Sequence, residues 1–381
     1  MAALDLKAVF AALQARSRWI EQTLHDLVLI ESPTESAKDV NRAAAFVIDL
    51  ASAFGGRARL HKQKHFGHIT ELRFGPRRSA AEPILLLGHL DTIWPLGTLQ
   101  SMPWRVADGR YYGPGVLDMK AGVVMALATL ATLHEQRLLT RPVTFLLNSE
   151  EEIGSPVSRP ITESLARESS AVLVLEPAQG LACKTARKGI GHYTLHVQGV
   201  GAHSGVDFDR GHSAILELAH QVQAIAALTD PTKQRTLNCG VIAGGTRSNI
   251  VAPSASVEID LRIATARDGV VTDKLLHRLK PIDPACTLTL TGGINRPPME
   301  RRAGTIALYK RARKLAAQLG FTLDEAATGG GSDGNFTAAL GVSTLDGLGA
   351  VGEGAHAAHE SVVIEHLVPR AALLAAMIAA N

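Results

Sequence analysis

The sequence predicts an α/β protein: a mainly parallel sheet with flanking helices, interrupted by a smaller inserted domain of ferredoxin-like α+β character. Three observations carry this. Short unbroken apolar runs, PILLLG (83–88), VTFLLN (143–148) and AVLVLEP (171–177), read as strands buried on both faces. Helical stretches alternate with them, as the covering of a parallel sheet requires. Near residue 187 the pattern changes to strict apolar–polar alternation, as in GHYTLHVQG, which suits strands with one wet face.

Each element follows in chain order. MAALDLKAVFAALQARSRWIEQTLHDLVLI carries charges every few positions and reads as an amphipathic helix, not as the uncharged core of a signal peptide. DVNRAAAFVIDLASAFG is helical, opened by ESPTES and closed by Gly55-Gly56. KAGVVMALATLATLHEQ (120–136) is apolar nearly all round and predicts a helix inside the core. Then come GHYTLHVQG, SAILELAHQVQAIAAL, TLNCGVIAG, ASVEIDLRIA, GVVTDKLLHRLK and CTLTLTG, in the order βαββαβ of a ferredoxin-like unit. That unit spans residues 188–297 and ends at NRPP, after which GTIALYKRARKLAAQLG restores the α/β pattern. The expected organisation is one discontinuous α/β domain in two parts, 1–187 and 298–381, around a smaller inserted domain, 188–297.

Composition narrows the function. A net charge of +3, with no Lys/Arg cluster beyond GPRRSA and MERRAG, argues against nucleic acid or an anionic membrane as partner. Cys183, Cys239 and Cys286 form no CxxC pair, so neither a disulfide framework nor a thiolate zinc site is expected. No stretch approaches the roughly 18 uncharged apolar residues that span a membrane. A cytoplasmic protein is expected.

The chemistry gathers at strand ends. PILLLG runs into His89 and Asp91, VTFLLN into Glu150-Glu151-Glu152, and AVLVLE ends in Glu176. His356 lies in AVGEGAHAAHE beyond a further strand, and Asp118 in YGPGVLDMKAG opens the buried helix. In an open parallel sheet ligands bind outside the carboxyl ends of the strands. Imidazole and carboxylate donors without thiolate suit zinc, cobalt or manganese in a hydrolytic site. A bridging carboxylate with one His and one Glu on each side would hold two ions about 3.5–4 Å apart.

LLLGHLDT, YGPGVLDMKAG, SEEEIGS, VLEP and GAHAAHE, in that order, resemble the signature blocks of the M20 metallopeptidase family. Among its members the chain is most similar to the glutamate carboxypeptidases and their acyl-amino-acid deacylase relatives, from about residue 20 to the C-terminus. The resemblance implies that His89 and Glu176 bind one metal, Glu152 and His356 the other, and that Asp118 bridges. It implies Asp91 as the acceptor that fixes the His89 tautomer and Glu151 as general base; Glu150 is left to solvent or a supporting role. In VGAHSGVDFDRG, His203 matches the histidine that reaches the partner subunit's active site and steadies the oxyanion. Asn249 and Arg262, with Arg296 as a further candidate, match residues that hold a substrate carboxylate. Gly329, Gly330, Gly331, Ser332 and Asp333 match a glycine-rich loop near it, where backbone N–H groups can meet an anion. The implied enzyme is a homodimer hydrolysing an amide beside a free carboxylate: a glutamate-type carboxypeptidase, or an N-acyl-amino-acid deacylase or dipeptidase. Met119 and His359 depart from the residues most common at those positions, which leaves the substrate subclass open.

Two rivals stand beside this reading. Gly330-Gly331-Ser332-Asp333-Gly334 matches the G-x-S-x-G nucleophile elbow, and Asp346 and His356 follow in the order of a serine hydrolase. That reading leaves Asp118, Glu151, Glu152 and Glu176 without a role. The second rival is a catalytically silent binder of a peptide or amino acid, which the retention of every ligand and of the base argues against.

Overall fold

The computed structural model describes residues 4–379. The chain divides into two compact units. The larger comprises the described residues up to Ala186 together with Arg301–Ala327 and those from Ser332 onward; the smaller comprises Arg187–Glu300 and Thr328–Gly331. The tetrapeptide 328–331 falls within the span that sequence assigns to the second part of the catalytic domain. It clusters with the smaller unit because Lys188 N donates to Thr328 O (3.0 Å) and Arg187 Nη1 to the carbonyls of Gly330 and Gly331.

The larger unit is built on a six-stranded sheet in the order Arg57–His61, Ile69–Phe74, Val143–Asn148, Ile84–His89, Ala171–Val174, Thr344–Leu345. The last four strands are mutually parallel, while Ile69–Phe74 pairs antiparallel with Val143–Asn148 and with the edge strand Arg57–His61. Every residue of Ile84–His89 and Val143–Asn148 is buried, as their unbroken apolar runs predict. The edge hairpin escaped the sequence pattern for a physical reason. Glu71 sits fully buried in the middle of Ile69–Phe74, held by the imidazole of His61 (2.8 Å) and the guanidinium of Arg73. A paired charge inside a strand breaks the apolar signature without breaking the strand.

The amphipathic N-terminal stretch is two helices, Leu6–Ala15 and Ser17–Val28, separated at Arg16. Val116–Glu135 is long and apolar enough by length and composition to cross a membrane, although Asp118, Lys120 and Glu135 bound its uncharged run, and 94% of its 18-residue window is buried inside the protein. Its regular part, Ala121–Glu135, packs against Leu367–Ala379 and Leu6–Ala15, so the segment is a core helix. Gly122 permits its close approach to the sheet, since a Cβ there would lie 2.3 Å from the Leu175 carbonyl oxygen.

The smaller unit is a four-stranded antiparallel sheet in the order Thr236–Gly244, Ser254–Ile263, Gly189–Gln198, Thr287–Arg296. Helices Ala214–Ala226 and Ala266–Leu276 complete the βαββαβ sequence. Alternate residues of Gly189–Gln198, among them Tyr193, Leu195 and Val197, form its core with Leu218, Ile225 and Leu276.

Candidate metal centre

Within the larger unit, separate turns deliver carboxylates and imidazoles to one point. Ile84–His89 ends in His89, which is buried, with Met119 Sδ accepting its backbone N–H at 3.3 Å. Val143–Asn148 leads into the single 3₁₀ turn Glu151–Ile153. Ala171–Val174 is followed two residues later by Glu176. Asp118 lies in the non-helical kink of Val116–Lys120, where its peptide bond to Met119 is cis. His356 follows the short strand Gly352–Glu353 and adopts a left-handed φ of 63°.

The distances form a chain through Asp118. Its Oδ1 lies 3.3 Å from His89 Nε2 and its Oδ2 3.4 Å from His356 Nε2. Glu176 Oε1 is 3.6 Å from His89 Nε2, and Glu152 Oε2 is 3.1 Å from His356 Nε2. Donor atoms of His89, Asp118 and Glu152 lie within 4.8 Å of one another, as do those of His89, Glu151 and Glu176. Asp118 thus presents one oxygen to each histidine, and each histidine has a glutamate beside it.

Electrostatics in this cluster favour cations. Burial disfavours a charged His89, but the carboxylates of Asp118 and Asp91 outweigh it and hold the imidazole well above its ordinary value. Hydrogen bonds to Asp118 and Glu152 push His356 up to about 10. Burial would raise Asp118, yet the two imidazoles pull it below the carboxylate range, while burial raises Glu152 from its ordinary value. Histidines that hold protons so strongly report a surplus of negative charge. An all-oxygen and imidazole donor set with that surplus fits hard or borderline divalent ions.

Supporting groups fix the turns, and sequence reading missed most of them. His89 Nδ1 finds its nearer acceptor in the Asp91 backbone carbonyl (2.9 Å), with the Asp91 carboxylate at 3.5 Å. The Asp91 carboxylate instead accepts from the backbone N–H groups of Glu151 (3.1 Å) and Glu152 (3.2 Å) and from the Thr34 hydroxyl (2.8 Å). Glu150 is not at the solvent. It is fully buried and accepts from Ser149 N and Oγ on one oxygen and from Val157 N and Ser158 N on the other. Glu360, four residues after His356, is buried on the backbone of the Asp118 loop. Its place within GAHAAHE was the only signal available in the sequence.

Ser332 does not have the surroundings of a nucleophile. It is fully buried, donates its hydroxyl to Asp346 Oδ2 and accepts from Gly334 N, while His356 lies with Asp118 and Glu152. The serine-hydrolase alternative fails on that geometry. Asp333 is likewise structural, accepting from Asn148 Nδ2 and Ser155 Oγ.

The remaining sequence candidates lie in the smaller unit. His203 is exposed and its Nδ1 accepts from Gly205 N, while Ser204 N donates to the carbonyl of Asn249 (3.0 Å), which joins their two loops. Arg262 makes a two-pronged pair with Asp260 (2.8 and 2.9 Å) and reaches the Gly329 carbonyl at 3.3 Å. Arg296 is buried at the end of Thr287–Arg296. The glycine-rich loop turns the carbonyls of Gly330 and Gly331 to Arg187, and Gly330 N reaches the Thr328 hydroxyl at 3.4 Å. A Cβ on Gly331 would lie 2.6 Å from Ile190 Cδ1, the end of a side chain that could shift to admit it.

Comparison with known proteins places the chain in a family. The chain is 28% identical over 376 residues to carboxypeptidase G2 of Pseudomonas sp. (strain RS-16), covering 97% of this chain and 90% of that protein. It is 29% identical over 239 residues to the acetylornithine deacetylase of Erwinia tasmaniensis, covering 58% of this chain and 61% of that one. Among solved structures, a tripeptidase from Staphylococcus aureus superimposes with a TM-score of 0.77 at 20% identity, over 95% of this chain and 97% of that chain. An M20 family metallo-carboxypeptidase from Sulfolobus solfataricus does so with a TM-score of 0.74 at 17% identity, over 94% and 98%. The model of peptidase family M20/M25/M40 matches residues 85–380, and the chain belongs to that family of metallo-hydrolases.

Proposed function

We propose that the protein hydrolyses an amide bond next to a free carboxylate, as a glutamate-type carboxypeptidase using two divalent ions, zinc in the first instance. The observation that carries this is Asp118, whose two oxygens face His89 and His356 separately. The end-to-end similarity to a carboxypeptidase supports it. The partial similarity to an acetylornithine deacetylase supports the second reading, an N-acyl-amino-acid deacylase acting on the same type of bond.

In this reading His89 and Glu176 would hold one ion and His356 and Glu152 the other, with Asp118 within reach of both histidines. Bound there, divalent ions would polarise the amide carbonyl and lower the pKa of a water. The Glu151 carboxylate takes the proton of the attacking water and passes it to the departing nitrogen as the C–N bond breaks. Asp91 holds the backbone N–H groups of Glu151 and Glu152, which sets the base against the ligand. Arg262, Asn249 and Arg296 receive the substrate carboxylate, with Gly330 and Gly331 beside it, and His203 of the partner subunit donates to the developing oxyanion. The homodimer forms through the smaller unit. Its edge strand Thr236–Gly244 exposes Val241 (56%) and Ile242 (62%), and the helix Ala214–Ala226 of the same unit exposes Ile215 and Leu216. Exposed apolar side chains on an unpaired strand edge suit a second copy. Three free cysteines accord with a reducing, cytoplasmic setting.

The test combines metal analysis with Glu151→Gln. About two ions per chain are expected, activity should vanish on chelation, and the variant should keep its ions while losing roughly 10²–10⁴-fold in kcat. Wild-type turnover in Glu151→Gln would remove Glu151 from this role.

A further inference from the structure

Glu360 is a buried carboxylate that the proposed mechanism does not use. It is fully inaccessible, and both its oxygens are doubly engaged. Oε1 accepts from the backbone N–H groups of Leu117 (2.8 Å) and Asp118 (3.0 Å). Oε2 accepts from Trp94 Nε1 (2.8 Å) and Gly115 N (2.9 Å). Those donors belong to the kinked loop that carries Asp118 and to the turn three residues beyond Asp91. Glu360 itself closes the loop of His356, its own N–H bonding the Ala357 carbonyl at 2.9 Å and Ala357 N the Gly354 carbonyl at 2.8 Å. One side chain therefore ties together three loops that bring His89, Asp118 and His356 to one point. The tie matters most for His356, whose side chain is 49% exposed and whose ring meets only Asp118 and Glu152 among its described ion pairs.

We infer that Glu360 is a positioning residue that sets the His356 imidazole against Asp118, and so governs the affinity of the ion held by Asp118, His356 and Glu152. The inference rests on the two-ion reading above. Its chemistry is specific to a carboxylate. Four N–H donors converge on two oxygens, two to each, so no rotamer of a glutamine satisfies them: its NH₂ would face either the Leu117–Asp118 pair or the Trp94–Gly115 pair. Either choice leaves two donors opposed and lets one loop move. Supporting residues of this kind change metal affinity by about 10–100-fold when altered.

The experiment titrates metal-stripped wild type and Glu360→Gln with Zn(II) against a chromophoric chelator, and follows the thermal midpoint of the metal-free proteins. Glu152→Gln marks which of the two binding steps belongs to the His356 side. In Glu360→Gln that step should weaken by about 10–100-fold relative to the other. Equal weakening of both steps overturns the inference, because lost negative charge or general loosening acts on both ions. Two unaltered affinities overturn it as well. A wild type that binds no ion would sink the two-ion reading instead. Should Glu360→Gln fail to fold, Trp94→Phe removes one donor from Oε2 and keeps an aromatic ring, though a smaller one, at that position. A several-fold weakening of the same step is then expected, and unaltered affinities overturn the inference.

Discussion

Ser332→Ala separates the metal centre from the serine rival with one substitution. The hydroxyl lies in the core, donating to Asp346 Oδ2 and accepting from Gly334 N at 3.1 Å, and neither Ser332 nor Asp346 is exposed. Removing it leaves a buried carboxylate oxygen without that donor. A hydrogen bond to a charged group contributes about 1.5–3 kcal/mol. For a unit of this size each kcal/mol moves the thermal midpoint by about 2–4 °C, so a fall of about 3–12 °C is expected. None of the hydrogen bonds of Ser332 reaches His89, Asp118, Glu152 or His356, so kcat below the melting range should stay within about twofold, the scale of a silent site. Loss of a true serine nucleophile costs on the order of 10⁶ in kcat. Amide hydrolysis measured at 25 °C beside metal analysis of the same sample decides. A fall beyond about 10³-fold, with ions bound and the protein folded, would refute the geometric case against Ser332.

Two further outcomes are expected. Glu150→Gln sets an NH₂ against two of the four donors on Glu150 and should lower unfolding free energy by about 2–4 kcal/mol in denaturant titration; a loss under about 1 kcal/mol would show that Glu150 does not clamp residues 149–158. Val241→Lys with Ile242→Lys should convert a dimer to monomer in light scattering, and should abolish the activity that mixing His203→Ala with Glu151→Gln otherwise restores by subunit exchange. An active wild-type monomer would exclude a role for His203 in the partner's site.

Much of the fold was legible because its code is periodicity. The doubly buried strands appear as unbroken apolar runs, and the smaller unit as strict alternation. What escaped was whatever a paired charge disguised, as Glu71 disguised a strand. The cluster of imidazoles and carboxylates was legible as residue types at strand ends, where His, Asp and Glu stand out against apolar runs. The supporting shell was not. Glu150, Glu360 and Thr34 act through bonds to backbone N–H groups or to the Asp91 carboxylate, and such bonds need only an acceptor or a hydroxyl somewhere in reach. Spacing in sequence does not encode them, since the partners of Glu360 lie more than two hundred residues away.

The run Glu150-Glu151-Glu152 shows how a dry strand can end in three carboxylates. Each is handled by a different neighbour. Glu150 turns inward and is neutralised by backbone dipoles and a hydroxyl, which offsets its desolvation while fixing the loop. Glu152 faces the imidazole of His356 at 3.1 Å, so its charge belongs to the donor cluster. Between them Glu151 shares the space of His89 and Glu176, its backbone pinned by Asp91. A strand alternates its side chains between two faces, but the 3₁₀ turn that begins at Glu151 breaks that alternation. The turn lets adjacent residues point to one region, so that Glu151 and Glu152 stand side by side next to His89. Three consecutive acids thus supply one buried anchor of the loop and two carboxylates of the donor cluster from a single strand end.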